Sequence, residues 1–129
     1  DFSRQIVRIE RGKADSVIHV GSLEVIRDLI DIQDALDAFW AVLEKGEVGS
    51  VYNVCSSNPI KIGEILPKLL EISGIKVKIK IDPKKLRPTD ETIIVGDNTK
   101  IKRDCGWKPN IPLERTLENT LNYWRKGKA

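Results

Sequence analysis

The sequence contains little of what most catalytic and metal sites require. Its 129 residues include no methionine, one histidine and two cysteines. The cysteines, Cys55 and Cys105, lack the close spacing that zinc sites use. Two isolated cysteines are typical of a reducing compartment, so we expect a cytoplasmic protein, and the sequence leaves open a single disulfide between them. Because a reading frame starts with methionine, Asp1 marks either a processed terminus or a cut, and we expect a cut and hence a fragment.

Long apolar runs and strong net charge are also missing. No stretch approaches the roughly 18 apolar residues of a membrane-spanning helix. The formal net charge is +3, which is too small to require a polyanionic partner. We therefore expect neither a membrane nor a nucleic acid as the partner of this chain.

The loops and pairs that mark cofactor chemistry are absent from the sequence. No two glycines are separated by one residue, which excludes the G-x-G-x-x-G loop, and the phosphate-binding loop G-x-x-x-x-G-K-[ST] is missing as well. Tyr52 and Tyr123 are followed four residues later by Ser56 and Gly127, so neither belongs to a Tyr-x-x-x-Lys pair. His19 lies in a predicted strand, where a structural role is expected. The sequence predicts no catalytic residue, no metal ligand and no cofactor-binding residue.

Helical and extended patterns alternate along the chain, which indicates a small mixed α/β domain. Helices are predicted over residues 3–12, 31–46, 62–73, 98–105 and 113–124. Extended segments are predicted over residues 16–20, 24–30, 51–55, 76–81 and 92–95. These strands are too few for a complete doubly wound sheet, so we expect one domain over residues 1–129 that is the smaller half of a larger protein.

Local signals predict where several helices begin and end. We expect Ser3 to cap the first helix, and Asp31 to cap the second with Asp34 completing a box-like start. Pro67 predicts a kink in the third helix or a late start to it. Glycines 12, 46, 74 and 106 are expected to end helices.

Apolar spacing predicts which side chains are buried. In the second helix Trp40 lies at core spacing, and an apolar stripe accompanies it, made of Ile32, Ala35, Leu36, Phe39 and Leu43. In the strand over residues 76–81, Val77, Ile79 and Ile81 are expected to point inward and the lysines outward. Trp107 and Trp124 are expected to be structural.

Arg27 is the first candidate binding residue, because it interrupts the apolar run V-I-R-D-L-I. A buried guanidinium requires an anion. One interpretation is an internal ion pair with Asp28 or Asp31. The other is a phosphate ligand, since the planar guanidinium matches two phosphate oxygens at once.

Arg87 and Asp90 form the second candidate, in the loop R-P-T-D. They could close the turn by pairing with each other. Alternatively, Arg87 binds a phosphate and Asp90 accepts a hydrogen bond from a sugar hydroxyl. Two such arginines in one small domain indicate a diphosphate ligand.

The segment from Lys76 to Lys108 is the most basic part of the chain, with ten Lys or Arg and five Asp or Glu. A nucleic-acid surface is one interpretation. No aromatic residue alternates with Lys76, Lys78 and Lys80 to stack on bases, so a solvated strand surface is favoured.

The order of these motifs resembles a known family. The run V-G-S-L-E-V-I-R-D-L-I-D precedes V-Y-N-V-C-S, R-P-T-D and finally G-D-N-T-K with G-W-K-P-N-I-P-L. This order resembles the C-terminal part of extended short-chain dehydrogenase/reductases in the NAD-dependent epimerase/dehydratase family. Within that family it is similar to the branch of GDP-mannose 4,6-dehydratases and GDP-4-keto-6-deoxymannose reductases.

The resemblance implies a two-part enzyme of which this chain is the smaller part. In such proteins an N-terminal Rossmann domain holds NAD(P) and the catalytic Ser/Thr–Tyr–Lys set, and the C-terminal domain binds the nucleotide sugar. We therefore expect NAD(P) in the intact parent only, a GDP-hexose ligand, the Rossmann half as partner, and a homo-oligomeric intact enzyme. This chain alone is expected to be inactive.

The resemblance also implies roles for single residues. Arg27 and Arg87 match the arginines that contact the diphosphate, and Asp90 matches the acidic residue that reaches the ribose. The base-contacting loop matches Val20–Leu23, including Ser22, and Arg4 and Gln5 match a helix start near the nucleotide. The dehydratases would carry Asn in place of Ser22 and Glu in place of Asp90, so the chain is more similar to the reductases.

Three alternatives remain at this point, one of which is a purely structural or dimerising remnant. The same domain could serve a UDP- or dTDP-sugar epimerase or dehydratase. The chain could also be a stand-alone module without catalysis that binds a nucleotide or a nucleic acid.

Overall fold

The computed structural model describes residues 1–86 and 91–127, and it confirms the mixed α/β class. Five α-helices are present in the described chain: α1 (Phe2–Glu10), α2 (Ile32–Lys45), α3 (Ile62–Ser73), α4 (Thr99–Cys105) and α5 (Leu113–Lys126). The strands of the described chain are β1 (Val17–Val20), β2 (Ile26–Asp28), β3 (Pro59–Lys61), β4 (Lys78–Ile81) and β5 (Ile93–Ile94). No helix of this described part is long and apolar enough to cross a membrane.

The chain divides into two compact units. The first consists of Asp1–Val25, Lys61–Thr92 and Leu117–Ala129, and the second of Ile26–Ile60 and Ile93–Thr116. The strands also form two sheets. Strand β1 pairs with β4 in a two-stranded sheet, and a separate three-stranded sheet has the order β3-β2-β5.

The first unit has a core of aliphatic side chains from its helices and from β1. Fully buried members include Ile6 and Val7 of α1, Ile18 of β1, Leu66 of α3 and Leu121 of α5. Strands β1 and β4 run parallel, with Val17 opposite Lys78 and Val20 opposite Ile81. Helix α1 turns Ile6 and Val7 into this core. The prediction that Ser3 caps the helix is wrong, because α1 begins at Phe2 after Asp1 and Ser3 is buried within it.

Strand β4 forms as predicted, but its predicted burial is wrong. Ile79 is 47% exposed and Ile81 is 66% exposed. The physical reason is that β4 pairs with β1 alone in a two-stranded sheet, so alternation of apolar and charged residues does not place its apolar side chains in a core.

The second unit has its core between α2 and α4. Ala38, Ile101, Cys105 and Trp107 are buried there, with Ile30, Ala41, Val42, Tyr52 and Val54 packed against them. Cys55 and Cys105 are both buried and free. Strands β2 and β5 are parallel, with Ile26 opposite Ile93 and Arg27 opposite Ile94.

Helix α2 confirms the prediction of its ends and contradicts the prediction of its buried face. Asp31 caps the helix by accepting a hydrogen bond from the backbone N–H of Gln33 at 2.9 Å, and Gly46 ends it. Large apolar side chains predicted to be buried are exposed: Ile32, Leu36, Phe39, Trp40 and Leu43. The helix instead buries Ala38 and Asp34, because small residues allow it to approach α4 closely.

One further prediction fails locally. Residues 51–55 form no strand, and only Cys55 of them is buried. Helix α3 spans Ile62–Ser73 as predicted and passes through Pro67, so the late start, one of the two alternatives for Pro67, is excluded. The predicted ends at Gly74 and Gly106 are confirmed, since both glycines have the positive φ that ends a helix without strain.

Candidate functional site

Gln5 joins α1 to the outer edge of β1. Its side-chain amide donates to the carbonyl oxygen of His19 at 2.9 Å, and its amide oxygen accepts from the backbone N–H of His19 at 2.9 Å. The amide therefore satisfies both backbone groups of His19, as a neighbouring strand would. The same nitrogen also lies 2.9 Å from the Asp1 carboxylate. These bonds fix the end of β1, which leads into the predicted base-contacting loop.

Arg4 lies one residue earlier, on the exposed side of α1. Its guanidinium is 3.6 Å from the Asp1 carboxylate, and its side chain is 53% exposed. An exposed ion pair of this length contributes little to stability. The Arg4 charge is thus held loosely at the surface of the first unit.

The loop that follows β1 is shaped by close backbone packing. The Val20 side chain is fully buried, and its carbonyl oxygen accepts from the N–H of Asp82 at 2.8 Å. A Cβ atom on Gly21 would lie 2.6 Å from the carbonyl oxygen of Lys85, so this position requires glycine. The Ser22 hydroxyl accepts from the N–H of Glu24 at 3.4 Å. Residues 20–22 therefore lie directly against the 3₁₀ turn Pro83–Lys85.

Lys85 is a residue of this region that the sequence did not reveal. Its ammonium group donates to the Asp1 carboxylate at 2.7 Å and to the carbonyl oxygen of His19 at 2.8 Å. The turn that carries Lys85 is itself fixed by Asp82, which accepts from the N–H of Lys84 at 3.0 Å. The sequence D-P-K-K was the available signal, since Asp followed by Pro favours a turn of this kind.

A cavity of about 340 Å³ lies beside Gln5 in the first unit. Its lining residues are Gln5, Arg8, Ile9, Ala14, Asp15, Val17, His19 and Lys80. Among the predicted site residues, Gln5 lines it, whereas Arg4, Val20 and Ser22 do not. Arg8 and Lys80 face a single carboxylate, Asp15, so the lining carries an excess of positive charge.

Arg27 lies on β2 in the second unit and is half-buried. Its guanidinium donates to the carbonyl oxygen of Ile26 at 2.8 Å. The strand holds this side chain at a defined register, with Arg27 opposite Ile94 of β5. The sequence prediction that Arg27 occupies a partly buried strand position is confirmed.

Asp28, the neighbour of Arg27, organises the backbone around it. One carboxylate oxygen accepts from the N–H and the hydroxyl of Ser56 at 2.8 and 2.6 Å. The other accepts from the N–H of Ser57 at 2.8 Å and from the N–H of Gly96 at 3.2 Å. A Cβ atom on Gly96 would lie 2.5 Å from the sulfur of Cys55, so only glycine fits beside this bond. Asp28 therefore fastens two chain segments to the strand that carries Arg27.

Arg87 and Asp90 lie outside the described residues. Of the remaining candidates, Arg4, Gln5, Val20 and Ser22 belong to the first unit, and Arg27 belongs to the second. Gln5 is bonded to His19, next to Val20. Among residues 1–86 and 91–127, no three His, Cys, Asp or Glu side chains are grouped as metal ligands would be.

Comparison with known proteins shows one family over nearly the whole chain. The family model described as GDP-mannose 4,6 dehydratase matches residues 1–120. GDP-6-deoxy-D-mannose reductase of Pseudomonas aeruginosa is 35% identical over 122 residues, which are 95% of this chain and 40% of the relative. The chain thus spans less than half the length of this relative.

Solved structures extend the likeness to three dimensions. The structure of RMD from Pseudomonas aeruginosa in complex with NADPH has a TM-score of 0.89 and 34% identity, covering 96% of this chain and 41% of that one. UDP-glucose 4-epimerase of Thermotoga maritima, solved with UDP-glucose, has a TM-score of 0.83 and 28% identity, covering 97% of this chain and 38% of that one. The matched region is the C-terminal part of these enzymes. This chain therefore belongs to the GDP-mannose 4,6-dehydratase family, within the NAD-dependent epimerases and dehydratases.

Proposed function

We propose that this chain is the nucleotide-sugar-binding part of an NAD(P)-dependent enzyme that acts on GDP-hexoses, as a dehydratase or a reductase. The observation that carries the proposal is the match to GDP-6-deoxy-D-mannose reductase over 95% of the chain. The proposed unit of function is the whole of residues 1–129, with the catalytic groups supplied by the N-terminal part of a parent enzyme.

In this proposal Arg27 and Arg87 bind the diphosphate. A nucleotide diphosphate carries at least two negative charges, and each guanidinium can donate two parallel hydrogen bonds to phosphate oxygens. The half-buried position of Arg27 supports its role, because partial burial strengthens an interaction with an anion. Asp90 accepts a hydrogen bond from the ribose.

The base lies against the loop after β1. The Val20 side chain is fully buried and its carbonyl oxygen is already bonded. The contacts with the base are therefore made by the backbone after Val20 and by Ser22. Arg4 provides a loosely held charge near this loop, and Gln5 holds β1 in position through His19. The close contact of Gly21 with Lys85 supports this arrangement, because it fixes the loop against the segment that leads to Arg87.

We assign the nicotinamide cofactor to the parent enzyme, and the lack of the glycine-rich loop G-x-G-x-x-G in this sequence supports that assignment. A dinucleotide usually places its phosphates at a helix N-terminus behind a glycine-rich turn. Here α1 and α2 follow Asp1 and Asp31, and the Asp31 carboxylate already occupies the N-terminus of α2 through the N–H of Gln33. Hydride transfer and proton transfer are therefore assigned to groups outside this chain.

The direct test is calorimetric titration of the 129-residue chain with GDP, UDP and dTDP. We expect GDP to bind most tightly, and we expect Arg27→Met to weaken its binding by about 10- to 100-fold, the effect of losing a charged hydrogen-bonding pair. Arg27→Lys keeps the charge but loses the two-pronged geometry, so it should restore only part of the affinity.

Arg103 provides the matched control. It is an arginine on α4 whose side chain is 70% exposed and paired with Asp104, so Arg103→Met should change GDP affinity less than about twofold. Tighter binding of UDP or dTDP would contradict the GDP assignment and leave the arginine assignment standing. Unchanged affinity in Arg27→Met would contradict the diphosphate role. Tight, strongly salt-dependent binding of an oligonucleotide instead would indicate a nucleic-acid module.

A further inference from the structure

The cavity of the first unit has one wall made by the pair of strands β1 and β4. Val17 and His19 of β1 both line it, whereas the residues that alternate with them are buried on the opposite face of the strand. Lys80 is the partner of His19 across the parallel pair, so its side chain lies on the same face and lines the cavity as well.

Helix α1 makes the second wall. Arg8 and Ile9 line the cavity, and they follow Gln5 by three and four residues, so all three lie on one side of the helix. The side-chain amide of Gln5 is bonded to both backbone groups of His19, at 2.9 Å each. These two bonds hold the helix against the strand, and the cavity is therefore preformed.

The cavity contains two cations without a carboxylate partner. In the described part of the chain, neither Arg8 nor Lys80 forms an ion pair, and Asp15, the one carboxylate of the lining, pairs with neither. The other arginines of the same helix do have partners, because Arg4 has a carboxylate at 3.6 Å and Arg11 donates to a carbonyl oxygen at 3.0 Å. Arg8 is thus the arginine of α1 whose charge is available to a ligand.

The charge of the lining favours an anion. Arg8 and Lys80 together outweigh the single carboxylate of Asp15. The imidazole of His19 adds at least one N–H donor in either protonation state. A phosphate group matches this set of donors, because its oxygens accept from guanidinium and ammonium groups in short, charge-assisted hydrogen bonds.

The volume and the apolar part of the lining indicate more than a phosphate. About 340 Å³ corresponds to about eleven water molecules of about 30 Å³ each, and a bare phosphate leaves most of that space empty. Ile9, Ala14 and Val17 contribute apolar surface to the lining. A small organic group attached to the phosphate would cover this surface and exclude water from it.

We propose that this cavity binds a phosphate monoester with a small apolar organic group, and that Arg8 and Lys80 bind its phosphate. Arg27, the proposed diphosphate ligand, does not line the cavity. The proposal therefore does not rest on nucleotide-sugar binding. Gln5 has a positioning role here, since its amide is already bonded to the backbone of β1.

The test is a titration of the 129-residue chain with phenyl phosphate at constant ionic strength, followed by the backbone amide resonances in NMR. We expect the largest shifts at the lining residues, among them Arg8, Val17 and His19. Inorganic phosphate should bind at least about threefold more weakly, because it leaves the apolar lining uncovered. Benzyl alcohol, which has the ring without the phosphate, should not bind. Equal affinity for phosphate and phenyl phosphate, or shifts outside the cavity only, would overturn the proposal.

Removal of the cations should weaken binding of phenyl phosphate. We expect a loss of at least about tenfold for Arg8→Met and of at least about fivefold for Lys80→Met, because each removes a charge-assisted hydrogen bond. Arg103→Met is the matched control, since Arg103 is an exposed helical arginine of the second unit and its loss changes the net charge equally. Its effect should be below about twofold. The same loss in all three variants, or in none, would overturn the proposal.

Removal of the carboxylate should have the opposite effect. Asp15→Asn should tighten binding of phenyl phosphate by at least about twofold, because Asp15 repels an anion in the cavity. A variant that merely damaged the fold would bind more weakly, so this gain cannot come from misfolding. Unchanged or weaker binding by Asp15→Asn would overturn the proposal. No GDP is present in these titrations, so this proposal and the proposed function can fail separately.

Discussion

Asp34 is buried in the second unit and ties α2 to the segment after α4. Its carboxylate accepts from the N–H of Asn110 at 3.1 Å and from the N–H of Ile111 at 3.0 Å. The indole N–H of Trp107 donates to the carbonyl oxygen of Asp34 at 3.1 Å. One residue therefore satisfies three donors from a loop more than seventy positions away.

Replacement of Asp34 should be costly for this reason. Asp34→Ala leaves two backbone N–H groups without their acceptor, and we expect the free energy of unfolding to fall by about 2 to 4 kcal/mol. Chemical denaturation of the 129-residue chain measures this change. Asp37→Ala on the same helix is the control, because Asp37 is exposed and bonded to Gln33 alone, and it should change stability by less than about 0.5 kcal/mol. Equal effects of the two substitutions would contradict the role given to Asp34.

Single residues also show what can be predicted from sequence. Asp31 could be identified as a cap and Gly46 as a helix end, because these roles depend on neighbours within four residues. The box-like role expected of Asp34 is wrong, since its partners lie far along the chain. Gln5 and Lys85 bond to His19 through contacts of the same long-range kind. The local sequence D-P-K-K indicates the turn that carries Lys85, but it does not indicate the contact with His19.

Among the elements, α4 begins at a side-chain contact that depends on pH. The Asp97 carboxylate accepts from the N–H and the hydroxyl of Thr99, the first residue of the helix. These bonds, the side-chain one first, lower the pKa of Asp97 below its ordinary value of 3.8. Because the folded-state pKa is lowered, this contact stabilises the fold fully above pH 3.8 and is lost as the pH falls below that value.

Melting temperatures measured between pH 7 and pH 2 test this prediction. Asp97→Ala should melt below the parent chain at pH 7, and the difference between the two should shrink as the pH falls below 3.8. The comparison isolates Asp97, because Asp104, whose pKa is also lowered, by its bond with Arg103, is present in both proteins. A difference that is constant across this range would contradict the assignment.

The elements also show the limit of periodicity. Apolar spacing identified which face of α2 is apolar, and it did not identify what that face contacts. Phe39 and Leu43 satisfy the pattern of a buried stripe, yet in this chain they are exposed. The same limit applies to β4, where alternation was correct and the burial of Ile79 was not. A hydrophobic pattern identifies an apolar face, but it does not identify the surface that packs against that face.

For the whole molecule, the order of the motifs identified the family better than any single motif did. Periodicity along the chain identified the fold class and the five helices, and the order of V-I-R-D, V-Y-N-V-C-S and G-W-K-P identified the family. The TM-score of 0.89 over 96% of the chain agrees with both. Composition could not identify the ligand, because ligand binding depends on a few side chains. Of the seven candidate residues, Arg87 and Asp90 lie outside the described residues, and the binding roles of all seven stay predictions.

The amide of Gln5 has a further consequence for the behaviour of the protein at high concentration. By bonding both backbone groups of His19, it occupies a stretch of β1 that another strand would otherwise pair with. Open strand edges are the sites at which copies of a protein join into aggregates and fibrils. A side chain from a helix thus occupies this edge and keeps β1 from pairing with further chains.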